Sequence, residues 1–392
     1  MISIEVQYFS VSKNLLLAIG LWPYQQTRIT QLQYTLFLSI LLLAIMCHFT
    51  TFITTECTLD IVIKVLSSMS IFLNFAIQYS SFRMNTATVK IVLEELQHIC
   101  GKIKDENELA IIKKYGNISK RYTVWLTTSA IFGEIALILI QFWSSILDFV
   151  QPRNEFRSRI SLFPMEYFVD HHRYFYLIML HSNAAVCIGI TTMLATGTLF
   201  IACQKCVCGL FMVASYRIKH AISTNQVTPR GRNLTFLRIT KAVKVHRRAM
   251  KFSQFLVTKF EVMLGTTILF GISSFSLNLF RIFSIASSNC RNIKELMLSV
   301  GYAAIIAMYI FLANYIGQDL TDHNRRVFIT AYNVHWYKTP VTVQKLILFL
   351  LQRGTKDFTL NIGKLIHVSL ECFASLANTS ISYFTVLYTT QK

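Results

Sequence analysis

The chain has 392 residues, 53% of them hydrophobic and only 15% charged, with 30 phenylalanines and 5 prolines. A soluble chain of this length would divide into two or three domains; this composition is too apolar for that and too poor in proline for linkers, and fits long helices in lipid. The formal net charge of +19 invites a nucleic-acid partner, but the placement of the charges argues against one.

Residues 1–30 read as a cytoplasmic lead-in. The stretch Asn14 to Pro23 is short, apolar and aromatic; it suits the membrane interface but cannot cross it. No cleavable signal peptide is expected, because Leu15–Leu21 runs straight into Trp22 and Pro23 without a small-residue cleavage site. About 20 apolar residues are needed to cross a bilayer. The first predicted crossing is Leu32–Phe52. A tight acidic loop, Thr54–Asp60, leads to the second, Ile61–Phe82, which carries Lys64. Residues 84–121 are polar and helix-prone, and Val89, Val92, Leu93, Leu96 and Ile99 repeat at helical spacing, which predicts an amphipathic cytoplasmic helix.

The third crossing is predicted at Val124–Val150, with Glu134 and Asp148, and an outer loop follows over 149–173. His171 and His172 in that loop read as a solvated pair rather than a metal site. The fourth crossing, Tyr174–Gln204, carries no full charge, and His181 is its one imidazole. Its apolar pattern continues to Met212 and on to Ala221, too long for one crossing at about 1.5 Å per residue, so the helix is expected to project into the cytoplasm. Residues 225–233 read as a loop, Phe236–Lys259 as an amphipathic stretch, and Val262–Phe280 and Leu296–Gln318 as crossings five and six. Residues 325–353 are near-helical but broken by Pro340. Their Leu346, Ile347, Phe349, Leu350 and Leu351 require a partner surface. The seventh crossing is predicted at Leu365–Gln391, with Glu371.

With seven crossings, one face holds residues 1–30, 83–121, 201–259 and 319–356, and with them 28 of the 38 Lys and Arg. Basic residues collect in short cytoplasmic loops during insertion, so the N-terminus lies inside and the C-terminus outside. This excludes the G-protein-coupled receptor orientation, and the basicity reads as a topology signal with some attraction to anionic inner-leaflet lipid. The predicted fold class is therefore an all-α polytopic membrane protein of seven transmembrane helices, with a packed helical cytoplasmic domain built from the helix extensions. Residues 1–318 are expected to hold helices one to six, 319–356 cytoplasmic anchor helices, and 357–392 the last transmembrane helix.

Catalytic signals are missing: no Gly-rich phosphate loop, nucleophile constellation or metal-ligand set appears, and neither an enzyme nor a cofactor is expected. Cys203-x2-Cys206-x-Cys208 lacks a second ligand pair, so buried or lipidated thiols at a helix end are the better reading than zinc. Cys57 and Cys290 both fall in outward loops, but their pairing cannot be read from sequence. The sequons at Asn117, Asn233 and Asn378 face the cytoplasm or lie in a crossing, which argues against glycosylation.

Four local patterns carry a family resemblance: Gly20-Leu21-Trp22-Pro23; Tyr315-x2-Gln318-x3-Thr321-Asp322; Ala331-Tyr332-x3-Trp336-Tyr337-x2-Pro340; and Ser382-Tyr383-Phe384-Thr385-Val386-Leu387. With these the chain resembles the insect odorant receptors, in a hymenopteran style. The resemblance implies an odorant-gated, non-selective cation channel subunit in the plasma membrane of a sensory neuron dendrite. Such a subunit joins the odorant receptor coreceptor in a heterotetramer. It implies that the cytoplasmic domain, here with Tyr332, Trp336, Tyr337 and Pro340, holds subunits together, and that the last helix lines the pore. The family's narrowest pore position falls on Val386, beside Thr385, and a polar pore position on Thr389, where the coreceptor carries an amide.

The resemblance also places a small volatile odorant in the outer half of the bundle, where burial of an apolar body dominates recognition. Candidate contacts are Met69 and Phe72 on span two, Leu139 and Trp143 on span three, Tyr176, Leu180 and His181 on span four, and Tyr302 and Ile305 on span six. Each is weighed against simple packing, which is the commoner role of an aromatic in a bundle. Two alternatives compete. A gustatory receptor of the same superfamily would typically end in a Thr-Tyr pattern followed by Gln-Phe, where this chain has Ser382-Tyr383-Phe384. A secondary transporter would show internal repeats and Gly/Pro-broken crossings, and neither is evident here.

Overall fold

The computed structural model describes residues 9–56, 58–150, 163–170, 173–222, 229–287, 293–356, 358–363 and 366–391. The described chain is almost wholly helical. A short α1 (Ser10–Ala18) precedes α2 (Arg28–Thr54), α3 (Leu59–Met84), α4 (Thr86–Gly101), α5 (Glu106–Val150) and α6 (Phe175–Ile222). Then come α7 (Pro229–Lys259), α8 (Glu261–Ser287), α9 (Ile293–Asn333), a 3-10 turn (Trp336–Lys338), α10 (Val341–Gly354), a two-stranded hairpin of β1 (Asn361–Ile362) and β2 (Ile366–His367), and α11 (Leu370–Gln391).

Among the described residues six helices are long and apolar enough to cross a membrane: α2, α3, α5, α6, α8 and α9. The seventh predicted crossing, α11, has 22 residues, or about 33 Å at 1.5 Å per residue. It has the length but not the hydropathy of the other six, because Glu371, Asn378 and a run of Ser and Thr interrupt it.

Three predicted boundaries move. The polar segment 84–121 is two helices, because Asp105 starts a new one: its Oδ1 accepts from the N–H groups of Asn107 at 2.8 Å and Glu108 at 3.2 Å, an N-cap. The third crossing is thus the outer part of a 45-residue helix that begins at Glu106. Pro229, expected in a loop, instead opens α7, the helical position where a missing N–H costs nothing. The last crossing does not begin at 365; the hairpin pairs Asn361 with His367 and Ile362 with Ile366 across Gly363, at φ +64°, and α11 starts only at Leu370.

The projecting helices are present. At about 1.5 Å per residue, the 48 residues of α6 reach about 72 Å against a hydrocarbon core of about 30 Å. Its inner part is buried on nearly every side from Ile201 to Ser215, because α5, α7 and α9 surround it. Polar links tie these extensions together. Arg217 grips Glu108 with two bonds of 2.7 Å. Lys205 meets Asp319 at 2.9 Å, with its ammonium over the rings of Tyr122 and Tyr315. Arg248 pairs with Glu95 at 2.8 Å, and His246 meets Oδ1 of Asn324 at 2.7 Å between Phe211 and Phe328. The segments holding most of the basic residues thus converge at one end of the molecule, the cytoplasmic end by the positive-inside rule. The predicted apolar face of α4 closes this domain: Val89, Val92, Leu93, Leu96 and Ile99 are all buried, and burial pushes the neighbouring Cys100 thiol up to about 12.

The lead-in does more than lie at an interface. Ser12 donates to Thr198 at 3.0 Å and Leu16 is wholly buried, so α1 packs into α6. Gly20, at φ +70°, turns the chain so that Leu21 and Trp22 are buried, a conformation that costs glycine little. The Tyr79 hydroxyl donates to the Ile19 carbonyl at 3.0 Å and fixes that turn on α3.

Candidate functional site

In the outer half the chain that follows α5 returns into the bundle. Glu166 N–H donates to the Cys47 carbonyl at 2.9 Å. Thr50 donates to the Glu166 carbonyl at 2.6 Å and Thr51 to the Pro164 carbonyl at 3.2 Å. These bonds pin residues 163–170 to the end of α2 and drive Phe163 and Met165 into the interior. Phe163 then bridges α3 and α9: its ring lies 5.2 Å from Phe72, edge to face, and 6.1 Å from Tyr302. Phe72 also meets His48 at 5.1 Å and Phe75 at 5.9 Å. Gly189 on α6 makes room for this cluster, because a Cβ there would run into the Phe75 ring.

Polar groups border the aromatic cluster. The Tyr302 and Ser299 hydroxyls and Oε2 of Glu134 are buried with no hydrogen-bond partner among the described residues, an arrangement that is rare and costly inside a protein. The other Glu134 oxygen accepts from the Cys187 thiol at 3.1 Å. Gln141 and Asn183 exchange bonds of 2.8 and 3.2 Å. Lys64 meets Glu295 at 2.8 Å, and the Arg281 side chain is buried in the same region. The interior is therefore aromatic, with a few polar atoms awaiting partners.

The predicted contacts divide. Phe72 and Tyr302 join through Phe163, and Met69 is half-buried on the same helix as Phe72. His181 binds the Tyr167 hydroxyl through Nδ1 at 2.7 Å, so its polarity serves the returning outer chain. Leu139, Tyr176, Leu180 and Ile305 are exposed on the outside of the bundle. Trp143 lies on α5, with its side chain outside the described residues. Sequence reasoning passed over His48, Phe163, Tyr167 and Arg281, and noted Glu134 only as a charge in span three. Lone ionisable residues in crossings were a usable signal for two of these; the returning outer chain left none.

Along α11, Phe384 and Tyr388 pack on Phe283 of α8 at 5.6 and 4.8 Å, and Phe373 packs on Phe311 of α9 at 5.3 Å. The opposite face shows Ser382, Thr385, Val386 and Thr389, all exposed and spaced to share one helical face. In the cytoplasmic domain Trp336 packs against the core, Pro340 is the N-cap of α10, and Tyr332 and Tyr337 are exposed. α10 buries Val343, Ile347 and Leu350 inward and leaves Val341, Leu348 and Phe349 outward.

The cysteine readings resolve in part. Cys203, Cys206 and Cys208 are buried thiols in the middle of α6 rather than at its end. Cys57, Cys290, His171 and His172 lie outside the described residues. Cys208, Asp319 and His323 have metal-ligand chemistry at close range, but Lys205 already neutralises Asp319. Both ring nitrogens of His323 are also engaged at 2.7 Å, by the Tyr115 hydroxyl and the Asp319 carbonyl.

Residues 58–381 match the family model of the 7tm odorant receptors. Odorant receptor 63a of Drosophila melanogaster is 21% identical over 270 residues, 67% of this chain and 61% of that one. The odorant receptor coreceptor of Aedes aegypti is 30% identical over 88 residues, 22% and 18% of the two chains. Odorant receptor 10 of Aedes albopictus is 25% identical over 96 residues, so the chain spans about a quarter of that relative, 26% of its length. The fold is similar to that of the insect olfactory receptor OR5 from Machilis hrabei in complex with eugenol, with a TM-score of 0.77 at 15% identity over 98% of both chains. A family match over most of the chain, on a fold of multi-pass helices, leaves one conclusion: the chain belongs to the insect odorant receptor family.

Proposed function

We propose that the protein is the odour-tuned subunit of a ligand-gated, non-selective cation channel that assembles with the odorant receptor coreceptor in the plasma membrane of olfactory neurons. The observation that carries this reading is the aromatic cluster of Phe72, Phe163 and Tyr302, with unpartnered buried oxygens at its edge. It suits a small volatile with an apolar body and one hydroxyl or carbonyl, whose polar atom would satisfy Tyr302. The receptor of similar fold from Machilis hrabei is in complex with eugenol, which has that chemistry. The exposed stripe Ser382, Thr385, Val386 and Thr389 supports α11 as pore-lining, with Val386 at a constriction that gates by dewetting. The outward residues Tyr332, Tyr337, Leu348 and Phe349 support the cytoplasmic domain as the subunit anchor, with residues 319–356 as its core. The family match favours odour over taste. The test is co-expression in a cell without olfactory machinery, with an odour panel. Current that needs both the coreceptor and an odour supports the reading, with Tyr302→Phe weakening hydroxyl-bearing odours more than hydrocarbons. Uptake of a substrate without conductance would replace it with a transporter.

A further inference from the structure

A groove of about 410 Å³ opens where the lead-in meets the corner between α3 and α4, lined by Pro23, Gln26, Arg83, Met84, Thr86 and Lys90. It lies beside the basic, cytoplasmic end of the bundle, at the inner end of the α3 crossing. The turn at Gly20 that buries Leu21 and Trp22 leaves Pro23 as one wall. Asn85 joins the two helices as a single residue; its amide turns back to the Ser81 carbonyl at 2.9 Å. It therefore makes no side-chain cap on α4. Arg83 and Lys90 flank this corner. Each sits over an aromatic face, Arg83 over Tyr34 at 5.5 Å and Lys90 over Tyr24 at 5.6 Å. Arg83 has no carboxylate within 4.0 Å among the described residues, and Lys90 has only Glu94, at 3.9 Å and itself more than half exposed. Met84, 83% exposed, lines the same groove.

We propose that this groove binds a phosphomonoester, presented by the headgroup of an inner-leaflet lipid such as phosphatidic acid or a phosphorylated phosphatidylinositol. A phosphomonoester carries about −1.5 to −2 charges near neutral pH, which matches the two cations better than the single charge of a phosphodiester. The exposed Met84 side chain and the Tyr24 ring supply the apolar contact that a lipid-borne phosphate brings and a free one lacks.

The test is native mass spectrometry of the full chain in detergent with dioctanoyl phosphatidylinositol 4-phosphate, dioctanoyl phosphatidylcholine, and inorganic phosphate as competitor. Interfacial cations contribute about a fivefold effect each, so Arg83→Gln with Lys90→Gln is expected to lower the affinity for the phosphoinositide about 30-fold. Lys113→Gln with Lys114→Gln, equal in charge and exposed on α5, is expected to leave it unchanged. Ala87 also lines the groove and is exposed; Ala87→Glu adds a repelling carboxylate there without removing packing, and is expected to abolish the adduct even if the double variant folds poorly. Equal binding of phosphatidylcholine, equal loss in both double variants, or an unaffected Ala87→Glu overturns the site. Displacement of the adduct by millimolar inorganic phosphate would keep the phosphate site and overturn the lipid as its source; resistance to displacement supports the lipid.

Discussion

Gly317 is where α9 lets the last helix dock. A Cβ built there would lie 2.6 Å from the Val368 carbonyl oxygen and 2.5 Å from its Cγ1, against the 3.4–4 Å of ordinary contact. Gly317→Ala therefore forces the strand leading into α11 to recede by about 0.8 Å or α9 to bend. Two bonds hang on that strand: Val368 N–H to the Leu360 carbonyl at 2.8 Å, and Ser369 N–H to Oδ1 of Asn314 at 3.3 Å. Overpacking of this kind costs about 1–3 kcal/mol and each weakened bond about 1 kcal/mol. Alanine's better helix propensity returns about 1 kcal/mol, leaving a net loss of about 2–4 kcal/mol if both bonds weaken fully. Gly301, on the same helix with nothing within 4 Å of its Cβ, gains the propensity without the clash, about 0.5–1 kcal/mol. The assay is the thermal midpoint of fluorescently tagged full chain in detergent: Gly317→Ala falls, Gly301→Ala holds or rises. Odour-evoked current is expected to drop in the first, because Ser369 caps the start of α11 through its 3.1 Å bond from Cys372 N–H. A Gly317→Ala midpoint at or above wild type refutes the close approach.

Three further outcomes are expected. Glu108→Ala strands Arg217, which is only 21% exposed; loss of one partner of a buried pair costs about 3 kcal/mol, read as a lower thermal midpoint. Burial holds the His246 imidazole below its usual 6.5, reinforced by the Arg353 charge and opposed by its bond with Asn324. The unfolded chain then binds this proton first as pH falls, so the histidine's contribution is full above about 6.5 and is lost on acidification below it. Thermal midpoints at pH 7.5 and 5.5 should show that drop, and His246→Asn should reduce it. Val386→Ala is expected to change permeation with odour tuning mostly intact; unchanged currents in co-expressing cells would remove Val386 from the gate.

Hydropathy was enough for six of the spans, because lipid demands long uninterrupted apolar helices, and charge placement supplied their sidedness, because insertion sorts Lys and Arg to one side. The overlong pattern through Ala221 already required a helix that leaves the bilayer, and α6 is that helix. Boundaries set by single hydrogen bonds were less legible: the Asp105 cap and the 361–367 hairpin depend on where one side chain or one N–H finds a partner.

The sequence by itself determined the class of protein, its helical content, its basic inner end and, through the motif residues from Gly20 to Leu387, its family. Only the tertiary structure decided which faces look inward. Helical spacing groups Leu139, Tyr176, Leu180 and Ile305 as readily as Phe72 and Tyr302, yet the first four are on the surface and the last two meet through Phe163. In water an apolar face must turn in; in lipid the outside is as apolar as the core. The pattern that would separate them is therefore absent until the helices, and the chain returning after α5, are packed.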